Sequence, residues 1–254
     1  MPLAVTLALP ALVLLAGLLA GGIRLPGLLA GVLFAGWLLY PPGHLPTNLW
    51  LGASLLAGVA LAAHALPGFA PLALSEPRPL SPDAAPYGVR LHWDKLLLGA
   101  TLLAWWWRAG RRPAAPPRPA AAWLCALATL LGMPALAWTL DVVAWQPKWP
   151  AELLPWLAVN LGVTALAEEL LFRGLLQGAL VARLGAARGI GLTALLFGLA
   201  HAPFSAAFAV AAGLAGLGYG WILQLSGRLG AAVLLHGAVN LGHFLLLSYP
   251  LRLA

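Results

Sequence analysis

The stretch from Leu153 to Val181 reads LLPWLAVNLGVTALAEELLFRGLLQGALV and places two adjacent carboxylates and an arginine inside a long apolar segment. The whole chain has only seven acidic residues, and the other five lie in loops or at the ends of apolar segments. Charged groups inside a membrane span are unfavourable by roughly a few kcal/mol each, so they are retained mainly for function. We therefore expect the chemistry at Glu168, Glu169 and Arg173.

The composition around this stretch is that of an integral membrane protein. Of the 254 residues, 62% are hydrophobic and 8% are charged, whereas soluble domains carry about 25% charged residues. The apolar segments are long enough for helical spans of about 20 residues, and the short alternating segments of a transmembrane β-barrel are absent. The predicted fold is an all-α, polytopic transmembrane helical bundle of eight or nine spans.

The charge distribution indicates how the bundle sits in its membrane. The net charge is +7, but the arginines cluster in short loops between apolar segments, as the positive-inside rule expects. This pattern favours membrane lipids as partners and excludes nucleic acid. The basic, proline-rich loop from Arg108 to Pro119 is predicted to be cytoplasmic. We expect a multi-pass protein of a bacterial inner (plasma) membrane.

The same basic loop divides the chain into two parts. Residues 1–115 are predicted to hold N-terminal transmembrane helices with extramembrane and basic loops, and residues 116–254 the functional core. The proline-rich stretch from Pro67 to Trp93 is predicted to lie outside the membrane. The apolar segments lie near residues 3–20, 26–40, 49–66, 94–107, 121–140, 152–181, 189–203, 205–224 and 229–248.

Helical spacing separates the roles of the two adjacent glutamates. Glu169 and Arg173 are four residues apart, with the acid on the N-terminal side, which is the better order for an ion pair on one helix face. Glu168 points about 100° away and aligns with Thr164 and Asn160. We therefore predict a paired, structural Glu169 and an unpaired Glu168 that is suited to act as a general base or acid. The alternative is that both glutamates hold helices together or face a water-filled vestibule.

Three further polar side chains lie on later segments. His201 ends one apolar segment, while His236 and Asn240 lie four apart on the last one, with His243 on the same face. At about 1.5 Å per residue, Glu168, His201, His236 and Asn240 reach similar depths and are expected to share a cavity open to the cytoplasm.

This set of side chains supports two kinds of hydrolysis. A carboxylate and an imidazole can activate water, while a second imidazole and an amide donate hydrogen bonds to an oxyanion. Alternatively, Glu168, His201 and His236 form a His₂Glu set for a divalent metal such as zinc. The spacing does not decide between them. The chain has no His-Glu-x-x-His, no aspartate within a span centre and no Gly-x-Ser-x-Gly, which excludes other familiar intramembrane hydrolase sites.

The motifs resemble those of a known family. Glu168-Glu169-x-x-x-Arg173, Phe197-x-x-x-His201 and His236-x-x-x-Asn240 follow one another on separate segments, with about 28 and 35 residues between them. In this order they resemble the CAAX protease and bacteriocin-processing (CPBP) family of intramembrane proteases. The resemblance covers roughly Trp123 to Leu247.

The resemblance implies a glutamic-type endopeptidase, earlier described as metal-dependent, acting on a protein or peptide substrate in the membrane. It implies that Glu168 and His201 activate water and that His236 and Asn240 stabilise the oxyanion, with Glu169 and Arg173 supporting the site. No cofactor is required by this assignment, although zinc remains an alternative. Prenylated proteins, bacteriocins and C-terminal sorting signals are all family substrates, and the motifs do not distinguish them.

Two rival functions remain open at this stage. Buried glutamate, histidine and arginine also mark proton relays, so a proton- or ion-coupled transporter would use the same residue types. A non-catalytic immunity or partner membrane protein could use the same scaffold without hydrolysis.

Overall fold

Helices form most of the chain in the computed structural model, which describes residues 3–41, 43–110 and 116–253, with side chains from Thr6 onward. The described residues contain nine continuous helices: α1 (Leu3–Leu19), α2 (Leu25–Leu39), α3 (Thr47–Ala62), α4 (Trp93–Ala109), α5 (Pro119–Thr139), α6 (Leu153–Leu184), α7 (Ala186–Ala200), α8 (Ala206–Ser226) and α9 (Leu229–Leu246). Each lies within a few residues of a predicted apolar segment. Arg111 and Arg112 of the predicted cytoplasmic loop lie outside the described residues.

Helix length separates these segments into two groups. Among the described residues, α5, α6, α8 and α9 are long and apolar enough to cross a membrane. The helices α1, α2, α3 and α7 are apolar but shorter, and α4 carries Asp94 and Arg108 in its terminal turns. The structure therefore confirms a predominantly helical protein with candidate membrane spans.

One end of the bundle, which we call the arginine end, comprises in the described residues the C-terminal ends of α2, α4, α6 and α8 and the turns that follow them. Its described arginines are Arg108, Arg118, Arg183, Arg188 and Arg228. The Arg108 guanidinium donates a 2.6 Å hydrogen bond to the Leu39 carbonyl oxygen. The Arg118 backbone N–H donates to the Leu225 carbonyl oxygen at 2.8 Å. These contacts tie α2 to α4 and α5 to α8, so the helices run alternately up and down.

The opposite end, which we call the capped end, is covered by the α3–α4 loop, the α5–α6 loop and the C-terminal segment after α9. Within the α3–α4 loop, strands β1 (Leu72–Ala73) and β2 (Arg90–Leu91) pair antiparallel. Arg78 of this loop donates two 2.7 Å hydrogen bonds to the Glu152 carboxylate in front of α6. The Ser248 hydroxyl donates to the Asp83 carboxylate at 2.6 Å. The three segments thus form one cap.

Helix α6 occupies the centre of the bundle and changes its winding twice. It is π-helical over Asn160–Ala165 and Leu170–Gln177, and these turns flank the α-helical Leu166–Glu169. Every residue of Leu170–Gln177 is buried. π-helical turns are rare and occur frequently at functional sites. The winding therefore indicates this part of α6 as a candidate position for a functional site.

The N-terminal helices pack directly on α6. The hydrophobic core contains Phe34 of α2, Leu98 of α4 and Leu170 of α6. Gly99 of α4 lies so close to α6 that an added Cβ would be 3.3 Å from the Ala167 Cβ. This close approach brings the first turn of α4 beside the two glutamates.

Candidate active site

Glu169 is fully buried and receives two hydrogen bonds at one oxygen. Its Oε1 accepts from Arg173 Nη1 at 2.9 Å and lies 2.9 Å from His236 Nδ1. The ion pair predicted from the four-residue spacing is therefore present. The sequence did not indicate the second partner, which links the central helix α6 to α9.

Arg173 connects α6 to two further helices. Its Nη2 donates to the Gly216 carbonyl oxygen of α8 at 3.1 Å, and its guanidinium lies 4.4 Å from the ring centroid of Phe197 on α7. A buried guanidinium needs both compensation of its charge and partners for its donors. Glu169 compensates the charge and binds Nη1, Gly216 binds Nη2 and Phe197 packs against the guanidinium, while the buried Nε has no hydrogen-bond partner among the described residues. These contacts let Arg173 fix the position of the Glu169 carboxylate.

Glu168 is not unpaired, so the prediction made from helical spacing is wrong. Lys95 Nζ of α4 donates to Glu168 Oε1 at 3.0 Å, and both side chains are largely buried. The prediction failed because it compared residues on one helix, whereas Lys95 is 73 positions earlier in the chain. Lysine is rare in this chain, and Lys95 lies at the start of an apolar segment. Nothing in the sequence, however, indicates which carboxylate it pairs with.

His236 faces both glutamates. Its Nδ1 donates to Glu169, and its Nε2 lies 4.0 Å from Glu168 Oε2. The ring stacks on Tyr219 of α8, with centroids 4.6 Å apart and planes 12° apart. The carboxylate on Nδ1 and the aromatic face together fix the orientation of the imidazole and direct Nε2 toward Glu168.

His201 lies at the C-terminal end of α7. Its Nδ1 is 2.8 Å from the Phe197 carbonyl oxygen, and because a carbonyl only accepts, Nδ1 carries the proton. In the neutral imidazole, Nε2 is then the basic nitrogen. In the part of the chain that the structure describes, no hydrogen bond or ion pair joins His201 directly to Glu168.

Asn240 joins α9 to the first π-helical turn of α6. Its Nδ2 donates to Asn160 Oδ1 at 3.2 Å. One of the two N–H groups of the Asn240 amide is used in this contact, and the other remains available as a donor. Asn160 was noted in the sequence only as a polar residue that aligns with Glu168.

Two cavities flank these side chains. His201, His236, Asn240 and His243 line the first, which has a volume of about 100 Å³. The second, of about 410 Å³, has Lys95, Asn160 and Thr164 in its wall. Glu168 lies between them, since it contacts Lys95 of one wall and faces His236 of the other.

Both cavities lie toward the capped end. The first extends to Val142 and Leu247, and the second to Pro86 and Tyr249. His201 itself is at the capped end of α7. The sequence predicted both a cavity open to the cytoplasm and a cytoplasmic Arg108–Pro119 loop. These two predictions cannot hold together, because that loop is at the arginine end and both cavities lie toward the capped end.

The alternative His₂Glu metal set can be compared with the side-chain geometry. Among the described residues, one group of three His, Cys or carboxylate side chains has all its ligand atoms within 4.8 Å of one another, and it consists of His64, His92 and Asp94. Glu168, His201 and His236 do not form such a group in the described residues, and the use of a metal by the site stays a prediction.

Comparison with known proteins identifies the region that holds these side chains. Residues 150–242 match the family model described as Type II CAAX prenyl endopeptidase Rce1-like. No curated protein and no solved structure matches the chain significantly. The matched range contains Glu168, Glu169, Arg173, His201, His236 and Asn240. Residues 150–242 of this integral membrane protein are therefore similar to the Rce1-like domain of type II CAAX prenyl endopeptidases, in agreement with the resemblance of its motifs to CPBP proteases.

Proposed function

We propose that the protein is an intramembrane endopeptidase that cleaves a peptide bond of a membrane-associated protein or of a C-terminal signal. The observation that carries the proposal is the placement of Glu168 and Glu169 against one imidazole, that of His236, inside a domain of a peptidase family. An ion-pair network without catalytic purpose would not need a second carboxylate 4.0 Å from the same ring.

In this proposal Glu168 and His201 activate the attacking water. Glu168 removes a proton from the water as its oxygen attacks the carbonyl carbon, and the proton passes to the leaving amine as the tetrahedral intermediate collapses. Lys95 balances the charge of the Glu168 carboxylate, which must be ionised to act as a base. His201, protonated on Nδ1 by its contact with Phe197, presents Nε2 as an acceptor for the same water.

His236 and Asn240 are proposed to stabilise the oxyanion. The Glu169 carboxylate holds Nδ1 and directs Nε2 toward the site, and a proton on Nε2 is what the ring would donate to the oxyanion. Asn240 contributes the N–H that Asn160 does not use. Fixed donors of this kind typically contribute about 10²–10³-fold each to the rate. Glu169 and Arg173 support the site by holding His236, α7 and α8 in place.

The membrane arrangement is part of the proposal. We infer eight or nine spans in a bacterial inner membrane, with residues 116–254 as the protease core and lipids around its apolar faces. The shorter apolar helices have 15 to 17 residues and are about 22–26 Å long, less than the ~30 Å hydrocarbon layer, so we infer that the bilayer thins around them. If the arginine end is cytoplasmic, both cavities open toward the opposite face. This orientation disfavours a prenylated cytoplasmic substrate.

The test compares membrane proteins in cells that produce the wild type, Glu168→Gln or His201→Ala. We expect C-terminal fragments of the substrate to accumulate with the wild type, and cleavage to fall at least about 100-fold in both variants. Glu76→Gln is the matched control, because Glu76 is an exposed acid in the α3–α4 loop.

Equal cleavage by folded Glu168→Gln and wild-type protein would overturn the proposal. A biological effect that survives in Glu168→Gln without any proteolysis would favour the non-catalytic partner. Uptake that follows the pH gradient without proteolysis would favour the transporter.

A further inference from the structure

A second group of titratable side chains lies outside the proposed catalytic cluster, where α3 ends and α4 begins. His64 follows α3, and His92 and Asp94 flank the first residue of α4. His64 Nδ1 is 2.9 and 3.0 Å from the two Asp94 carboxylate oxygens. The imidazoles of His64 and His92 stack with centroids 3.9 Å apart, and one ligand atom from each of the three residues lies within 4.8 Å of the others.

The backbone holds these donors in place. Asp94 is only 2% exposed, and its Oδ1 accepts a 2.8 Å hydrogen bond from the Lys95 backbone N–H. His64 has φ of 57°, in the left-handed region that residues other than glycine seldom adopt. This backbone conformation is what turns the His64 imidazole toward Asp94 at the end of α3.

The charges around the cluster are those of Asp94 and of two cations. Lys95 directs its ammonium to Glu168 at 3.0 Å and is therefore compensated, and Arg90, which lines the same cavity, is exposed, so water and salt screen its charge. His64 and His92 line the 410 Å³ cavity, which is wide enough to supply water to an ion. Asp94 contributes the negative charge, and the imidazoles contribute neutral nitrogen donors.

We propose that His64, His92 and Asp94 bind one divalent transition-metal ion of the Zn²⁺ class. Two imidazole nitrogens and one carboxylate oxygen are a donor set that Zn²⁺ accepts, with water in the remaining position. The ion would clamp the end of α3 to the start of α4. Since Asp94 bonds to the backbone of Lys95, the clamp would also fix the residue that pairs with Glu168. The site is independent of the proposed peptidase function.

The experiment measures metal binding by the full-length protein in detergent, purified through a tag without histidine. Metal analysis after equilibration with Zn²⁺ and gel filtration should find about one Zn²⁺ per chain. Titration with Co²⁺ alone should produce visible ligand-field bands, and Zn²⁺ should abolish them. In His64→Ala, His92→Ala and Asp94→Asn the affinity should fall more than about tenfold.

Two controls distinguish this site from others. His44→Ala removes an exposed histidine elsewhere and should retain the metal. Glu168→Gln should also retain it, whereas loss of metal in Glu168→Gln would place the ion in the catalytic cluster and overturn the proposal. Absence of Co²⁺ bands in the wild type, or equal binding by all folded variants, would show that His64 and Asp94 form a hydrogen-bonded pair only. Gel-filtration profiles identify the variants that fold.

Discussion

Lys95 and Glu168 illustrate how a charge is kept inside an apolar bundle. The exposed fractions of the two side chains are only 15% and 11%. Each charge is therefore compensated mainly by the other. Removing one partner of a buried pair leaves an uncompensated charge, which is more destabilising than removing both. This difference gives a test of the pair that does not require a substrate.

We predict that Lys95→Met lowers the free energy of unfolding by about 3 kcal/mol. This value is at the low end of the losses measured when one partner of a buried ion pair is removed, because both side chains remain partly exposed. The double variant Lys95→Met/Glu168→Gln should regain most of this loss, since neither charge remains. Thermal unfolding in detergent measures both. Equal destabilisation of the single and double variants would mean that the ion pair does not hold α4 against α6.

The helix α6 keeps its predicted polar face although its winding changes. Spacing by four residues predicted that Glu168, Thr164 and Asn160 align on one face. Asn160 and Thr164 both line the second cavity, and Glu168 contacts Lys95 of the same wall. The π-helical turn at Asn160–Ala165 changes the number of residues per turn, and Asn160 also bonds to Asn240 of α9.

Helices α7 and α8 approach most closely at glycine. A Cβ on Gly198 would lie 2.7 Å from the Ala209 carbonyl oxygen and 3.0 Å from Gly213 Cα, which are both backbone atoms. A Cβ on Gly191 of the same helix would meet nothing within 4 Å. The two positions therefore form a matched pair for testing the packing that places His201.

We predict that Gly198→Ala destabilises the protein by about 1–3 kcal/mol, because the backbone of α8 must move away. Gly191→Ala should be neutral or stabilising by up to about 1 kcal/mol, since alanine favours a helix. Thermal unfolding compares the two variants. Similar melting temperatures for both would contradict the close approach of α7 and α8.

The cap is predicted to loosen in acid. The hydrogen bonds from Arg78 hold the pKa of Glu152 below its ordinary value. Because the folded-state pKa is depressed, the pair stabilises the docked loop above the ordinary pKa, and this contribution is lost as pH falls through the lowered value. Limited proteolysis of the α3–α4 loop should therefore accelerate over that acidic range. In Arg78→Ala this acid-dependent increase in proteolysis should be absent. If the increase persists in Arg78→Ala, a group other than Glu152 causes it.

At the scale of the whole molecule, the two ends of the bundle differ in their acidic residues. The five acidic residues outside α6 lie at the capped end: Glu76, Asp83, Asp94, Asp141 and Glu152. Basic residues lie at both ends: Arg108, Arg118, Arg183, Arg188 and Arg228 at the arginine end, and Arg24, Arg78, Arg90, Lys148 and Arg252 at the capped end. The cytoplasmic position predicted for the Arg108–Pro119 loop therefore needs a direct test by labelling.

We predict that, in a Cys125→Ser background, Glu76→Cys reacts with a membrane-impermeant thiol reagent in spheroplasts. Arg188→Cys, at an exposed position in the first turn of α7, should react only after the membrane is permeabilised. Gel shifts of the labelled protein report the result. The reverse pattern would place both cavities on the cytoplasmic side and restore cytoplasmic substrates to consideration.

The sequence by itself determined the class of the protein, the approximate bounds of its helices and the residues of the candidate site. Apolar length and turn composition are local properties, and spacing by four residues identifies contacts within one helix, such as that of Glu169 with Arg173.

Only the tertiary structure decided which partners meet across helices. The pairing of Lys95 with Glu168, the contact of His236 with Glu169 and the His64–Asp94 cluster join residues at least 30 positions apart. The end of the bundle to which the cavities open was also decided only there. Such contacts depend on how helices pack and wind rather than on any local period, so they are absent from the pattern of the sequence.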